Sequence, residues 1–148
     1  MSLTAPVVDT NVLVDMAVAS RQRHSVASRL TALFEREGIE PWVPAHAIFE
    51  FHAAIVAEGL AEPSKPTVFP SDEHPLSLHV IYIDKTFFDL FLKPPLPVLK
   101  GADLIFVLLA VGERRPLISE DCQMLRATAE AGGEALTTSE YLAAHDRT

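Results

Sequence analysis

Short apolar runs alternate along this chain with longer stretches of helical periodicity. Pro6-Val7-Val8 reads as a brief buried strand that stops at Asp9-Thr10-Asn11. From His24 to Glu37, Val26, Leu30, Leu33 and Phe34 recur at helical spacing, and Gly38 supplies a left-handed stop. Pro41-Trp42-Val43 predicts a second strand. Pro44 then suits the first turn of a helix running to about Glu58, with Gly59 behind it. Leu78 to Ile83 is rich in β-formers and predicts a third strand. Asp84 can cap a helix from Lys85 to Lys93, which Pro94-Pro95-Leu96-Pro97 ends. Gly101 to Val111 is nearly all apolar, a helix buried on most sides. Leu117-Ile118 predicts a fourth strand and Cys122 to Ala131 a helix stopped by Gly132-Gly133. Ala135-Leu136 fits a fifth strand, and a short helix starts at Ser139.

Strands this short and apolar, separated by helices, fit an α/β fold: three layers, α/β/α, around a short, mostly parallel sheet. The 148 residues are the size of one domain. The exception is Ala61 to Pro75, where Pro63, Pro66, Pro70 and Pro75 mark an excursion rather than a core element. No repeat or low-complexity tract interrupts the pattern.

Composition narrows the chemistry. A hydrophobic share of 49% with 22% charged residues is that of an ordinary globular protein. Cys122 is the only cysteine, which excludes an internal disulfide or a cysteine-rich zinc site and suits a reducing cytoplasm. The opening residues lack the pattern of a signal peptide, and no apolar run approaches the roughly 20 residues needed to cross a bilayer. The expectation is a soluble, cytoplasmic protein with no membrane partner. Twenty acids against twelve bases give a net charge of −8, which opposes non-specific nucleic-acid binding through phosphate neutralisation. Any nucleic-acid role must then come from a local basic rim, a metal-neutralised acid cluster or an oligomer's groove.

In open parallel sheets, sites form beyond the carboxyl ends of the strands, where strand order reverses. Asp9 follows the first strand and Asp121 the fourth, while Asp103 lies in the first turn of the apolar helix. Glu50 stands among Ala47, Ile48, Phe49, Phe51 and Ala53, where an apolar residue is the ordinary choice. Each of the three aspartates equally reads as a helix cap, and Glu50 can point outward. Jointly they put acids on one edge of the sheet. Clustered carboxylates repel unless they protonate or bind a cation. Oxygen donors suit Mg²⁺ or Mn²⁺, and such a site can activate water against a phosphodiester. Ser119 can orient water or metal, or merely cap a helix. Arg21, Arg23, Lys100 and Arg126 fall on the acid side as weak candidates for phosphate contacts, whereas Arg114 and Arg115 precede the fourth strand and should be solvated.

These segments resemble the PIN-domain family. Val7-Val8-Asp9-Thr10-Asn11-Val12-Leu13 is similar to its opening motif, Pro44 through Glu50 to the segment bearing its second acid, Gly101-Ala102-Asp103 to its third, and Ser119-Glu120-Asp121 to its hydroxyl-and-acid element. Leu136-Thr137-Thr138-Ser139-Glu140-Tyr141-Leu142 looks like the closing strand and helix, so the resemblance spans nearly the whole chain. It implies a Mg²⁺- or Mn²⁺-dependent endoribonuclease with Asp9, Glu50, Asp103 and Asp121 catalytic. Of these, Asp9, Asp103 and Asp121 would hold metal, supported by Asn11 and Ser119. At this size it also implies the toxin of a VapC-type toxin–antitoxin pair, a homodimer silenced by a small antitoxin. The proline-rich middle and the acidic charge depart from that family's pattern.

Several other chemistries are weaker. His46 and Glu50 are one helical turn apart, but a zinc hydrolase needs a second helical histidine. Cys122 has no evident histidine partner for a nucleophilic role. Asp84 reads as a cap or as a residue supporting the acids. Asp9-Thr10-Asn11 lacks the second acid of an aspartyl-phosphate enzyme, and receiver and dinucleotide-binding signatures are missing. The remaining alternative is an inactive PIN-like module that binds RNA or protein.

Overall fold

The computed structural model describes residues 3–60 and 76–146. The proline-rich excursion expected at 61–75 lies outside them. Among the described residues a five-stranded, all-parallel sheet runs in the order β3-β2-β1-β4-β5, from β1 (Val7–Val8), β2 (Trp42–Pro44), β3 (His79–Ile81), β4 (Leu117–Ile118) and β5 (Ala135–Leu136). The helices are α1 (Thr10–Ala17), α2 (His24–Glu37), α3 (His46–Ala57), α4 (Lys85–Phe91), α5 (Gly101–Gly112), α6 (Cys122–Glu130) and α7 (Thr138–His145). The α/β/α expectation holds, and the sheet is wholly rather than mostly parallel.

The order of strands explains the layers. From β1 the chain steps to β2 and β3, then returns past β1 to β4 and β5. Right-handed crossovers therefore put the helices of the first two steps on one face and those of the last two on the other. The contacts agree: α1 packs on α2 and α3, α2 on α7, while α4 and α6 pack on α5. Sandwiched this way, Val7, Val8, Leu117 and Ile118 have no exposed surface. That is why the central strands are uninterrupted apolar pairs rather than alternating ones.

Helix α1 is the element that hydropathy does not announce. Its sequence, Thr-Asn-Val-Leu-Val-Asp-Met-Ala, carries valines at alternate positions and buries six of its eight residues. A helix wrapped on nearly every side shows no polar face to read. Asp15 is tolerated there because Arg21 Nε donates to it at 3.0 Å and its own carbonyl meets His24 Nδ1 at 2.8 Å.

Other boundaries shift by a residue or two. Helix ends at Gly38, Gly59 and Gly132 use glycines at positive φ. Helix α5 ends the same way without one. Arg115 N bonds back to Ala110 O at 2.9 Å and Arg114 N to Val111 O at 3.2 Å, so Arg114 itself takes φ 53°. Arg115 departs from the solvated reading. Its guanidinium lies 3.6 Å from the centre of the Trp42 ring and its Nη1 donates to Ala5 O at 3.1 Å, holding the amino-terminal edge of the sheet; Arg114 is exposed.

Candidate active site

The strand order reverses between β1 and β4, and their carboxyl ends carry Asp9 and Ser119. Val8 is in register with Ile118, and Asp9 N donates to Ile118 O at 3.0 Å, so Ser119 comes to lie beside Asp9. The Ser119 hydroxyl donates to Asp9 Oδ2 at 2.9 Å and accepts the Asp121 amide at 3.0 Å. Both Asp9 and Ser119 are buried, at 5% and 0% exposed.

Asp9 occupies the N-cap position of α1 but forms no side-chain cap hydrogen bond there, so the capping explanation does not account for it. Asp121 does cap α6, its Oδ1 accepting from Gln123 N at 2.8 Å and Met124 N at 3.1 Å, and it faces the site as well. Asp103 sits in the first turn of α5. Glu50 turns inward from α3, where the Thr10 hydroxyl donates to its Oε1 at 2.8 Å. Asp9, Asn11, Glu50, Asp103 and Asp121 all line one open cleft of about 330 Å³, with Thr10, Ala53, Ala54 and Met124 completing the wall.

The charges feel one another. Burial raises the Asp9 carboxyl from 3.8 to about 6, despite hydrogen bonds from Ser119 and the Thr10 amide, and the nearby Asp103 and Glu50 add to the rise. Asp103 is likewise raised, first by burial, then by Asp121 and Glu50, with Lys100 and His46 opposing. Every one of the four acids thus acts on another across the cleft or is acted on.

Among the described residues no group of three or more His, Cys, Asp or Glu side chains is already drawn together as a metal shell. The donor chemistry nevertheless fits a hard divalent cation. Carboxylate oxygens from four elements face shared space, and a buried Asp9 carries a charge that its surroundings disfavour. Mg²⁺ in particular is commonly held by one or two carboxylates, with water filling the remaining positions.

The proposed phosphate contacts are not assembled at the cleft. Arg21 is bound to Asp15 at 3.0 Å and to Glu58 at 3.1 Å, and Arg23 lies 3.8 Å from Glu120. Lys100 is exposed at the start of α5, near enough to oppose the rise in Asp103, and Arg126 is exposed on α6. Asp84 caps α4 through Phe87 N at 3.0 Å, as its plain reading expects, and Cys122 is exposed at the start of α6.

Thr10 escaped sequence reasoning. It looks like part of a turn after Asp9, and the signal for its role, a partner 40 positions away, is invisible in one dimension. No family model matches the chain, and no curated protein matches it. The resemblance to PIN domains is one of sequence motifs. Among the described residues no helix is long and apolar enough to cross a membrane.

Proposed function

We propose that the chain is a divalent-cation-dependent endoribonuclease of PIN-like design that hydrolyses RNA phosphodiester bonds at the Asp9–Glu50–Asp103–Asp121 cleft. The observation that carries this reading is four carboxylates around one open cleft at the sheet's switch point, of which Asp9 and Asp103 are raised by burial and, to a lesser extent, by their acidic neighbours. Such acids are relieved by protonation at low pH and by a bound cation at neutral pH.

In this reading Asp9, Asp103 and Asp121 hold Mg²⁺ or Mn²⁺, while Glu50 is placed to accept a proton from the attacking water. When bound, the cation supplies Lewis acidity toward the phosphoryl oxygen and lowers the pKa of water. Ser119 fixes the rotamer of Asp9, and Thr10 fixes that of Glu50. Exposed Asn11 stands at the lip of the cleft to contact substrate. The cleft is open to solvent, and its acid walls make the cation the neutralising partner for phosphate. Lys100 and Arg126 are left to meet the flanking backbone.

The toxin role, a homodimer, a small antitoxin and a cytoplasmic setting belong to the same proposal and follow from the family likeness. A reading frame for a small DNA-binding protein beside this one favours them. Incubation of purified protein with structured RNA tests the activity itself. Cleavage with Mg²⁺ or Mn²⁺, loss with EDTA and loss in Asp103→Asn support the reading; full cleavage by Asp103→Asn in EDTA contradicts it.

A further inference from the structure

His46 was the residue that sequence offered for zinc, and its surroundings give it another task. Its ring stands at the first turn of α3, one turn before Glu50, and crosses to α5. Nε2 lies 3.0 Å from the carbonyl oxygen of Ala102, the residue before Asp103. A carbonyl only accepts, so Nε2 carries the proton and donates. The same nitrogen is 3.5 Å from Glu50 Oε1. The ring packs edge-on against Phe106, one turn further along α5, with centroids 5.0 Å apart. Its Nδ1 is buried without a hydrogen-bond partner. The imidazole is therefore committed through Nε2, which bonds to Ala102 O with Glu50 Oε1 close by, between the two helices that carry two of the acids.

We infer that His46 is a positioning residue: its Nε2–H clamps α3 to the first turn of α5 and so fixes the metal-holding acid Asp103 relative to Glu50, the proton acceptor. This rests on the cation-dependent reading of the cleft. Glu50 and Asp103 come from different layers of the chain's path, one before and one after β3, and they repel. Left alone, that repulsion opens the cleft. The clamp opposes it by joining the backbone beside one acid to a side chain beside the other. Thr10 holds Glu50 from the α1 side and Ser119 holds Asp9, so His46 completes the set by fixing the α5 acid against α3.

Three substitutions separate the donor from the ring. Gln at position 46 presents its amide N–H near the height of Nε2, Asn presents one near Nδ1, and Phe keeps the ring against Phe106 with no donor. Each purified variant is titrated with Mn²⁺ by calorimetry, and exchange of the Leu104 amide, which bonds to Lys100 O across the first turn of α5, is followed without metal. His46→Phe and His46→Asn should bind Mn²⁺ about tenfold more weakly, as loss of a residue orienting metal ligands commonly does, and should exchange Leu104 faster. His46→Gln should restore both. A purely structural role would lower the melting temperature without this dependence on the position of the donor.

Native Mn²⁺ affinity in His46→Phe overturns the inference, as does equal loss in His46→Gln and His46→Phe. If His46→Phe does not fold, the comparison of His46→Gln with His46→Asn decides in the same way. A native protein that binds no Mn²⁺ refutes the cation reading instead, and the positioning role with it.

Discussion

Ser119 Oγ donates to Asp9 Oδ2 over 2.9 Å, joining two residues 110 positions apart at the ends of adjacent parallel strands. The same oxygen accepts the amide of Asp121. One buried hydroxyl thus ties two of the four acids together. Ser119→Ala leaves Asp9 and the Asp121 amide each without that partner. It should cost about 1–3 kcal/mol in chemical denaturation above pH 6 and weaken Mn²⁺ binding. An unchanged denaturation midpoint would show that water replaces the hydroxyl freely.

The raised carboxyl of Asp9 makes stability depend on pH. Between 3.8 and about 6 the folded chain holds a proton on Asp9 that the unfolded chain has released. Asp9's contribution is therefore fully present below the lower value and is lost as pH rises through the upper one, about 3 kcal/mol in all. Asp103 is shifted in the same direction. Without metal, Asp9→Asn should match the native protein near pH 4 and exceed it in stability at pH 7.5. Mn²⁺ favours the ionised form, so its stabilisation of the native protein should grow across the same window. Parallel stability–pH curves for native and Asp9→Asn would refute this assignment.

Thr10 is buried and donates to Glu50. Thr10→Val keeps the volume and removes the hydroxyl. Its expected outcome is a fall in RNA cleavage of about tenfold, with stability lowered by no more than about 1 kcal/mol. Equal rates for the two proteins in a single-turnover assay would remove Thr10 from the site.

Arg114 adopts φ 53° in a helix-ending motif that elsewhere in this chain uses glycine. Arg114→Gly relieves the side chain of a left-handed backbone. It should stabilise the fold by about 1 kcal/mol in a thermal melt, with no change in metal binding at the far edge of the sheet. Destabilisation would mean that the Arg114 side chain has a contact worth more than the strain.

Much of this architecture is legible because parallel sheets write simple patterns. Buried strand pairs such as Val7-Val8 and Leu117-Ile118 stand out between helices, and glycine stops mark helix ends at Gly38 and Gly132. The sheet-edge rule then places Asp9 and Asp121 near each other before any coordinates. Glu50 could not be decided from periodicity, because α3 is apolar over most of its circumference and so has no polar face for Glu50 to join. Helix α1, implied only by the cap reading of Asp9, shows no periodicity because six of its eight residues are buried. Thr10, His46 and the pairing of Arg21 with Glu58 depend on contacts between distant segments, and a single sequence carries no trace of them. Arg115 misled through its charge: a guanidinium stacked on Trp42 behaves as part of the packing.

The central claim is that the acids of this cleft share a divalent cation. Calorimetric titration of the metal-free protein with Mn²⁺ at pH 7.5 tests it most directly, with Asp9→Asn and Asp103→Asn measured alongside. Saturable binding by the native protein, weakened at least tenfold in both variants, is the predicted result. Native protein that takes up no Mn²⁺, or variants that bind it as the native protein does, would contradict the account.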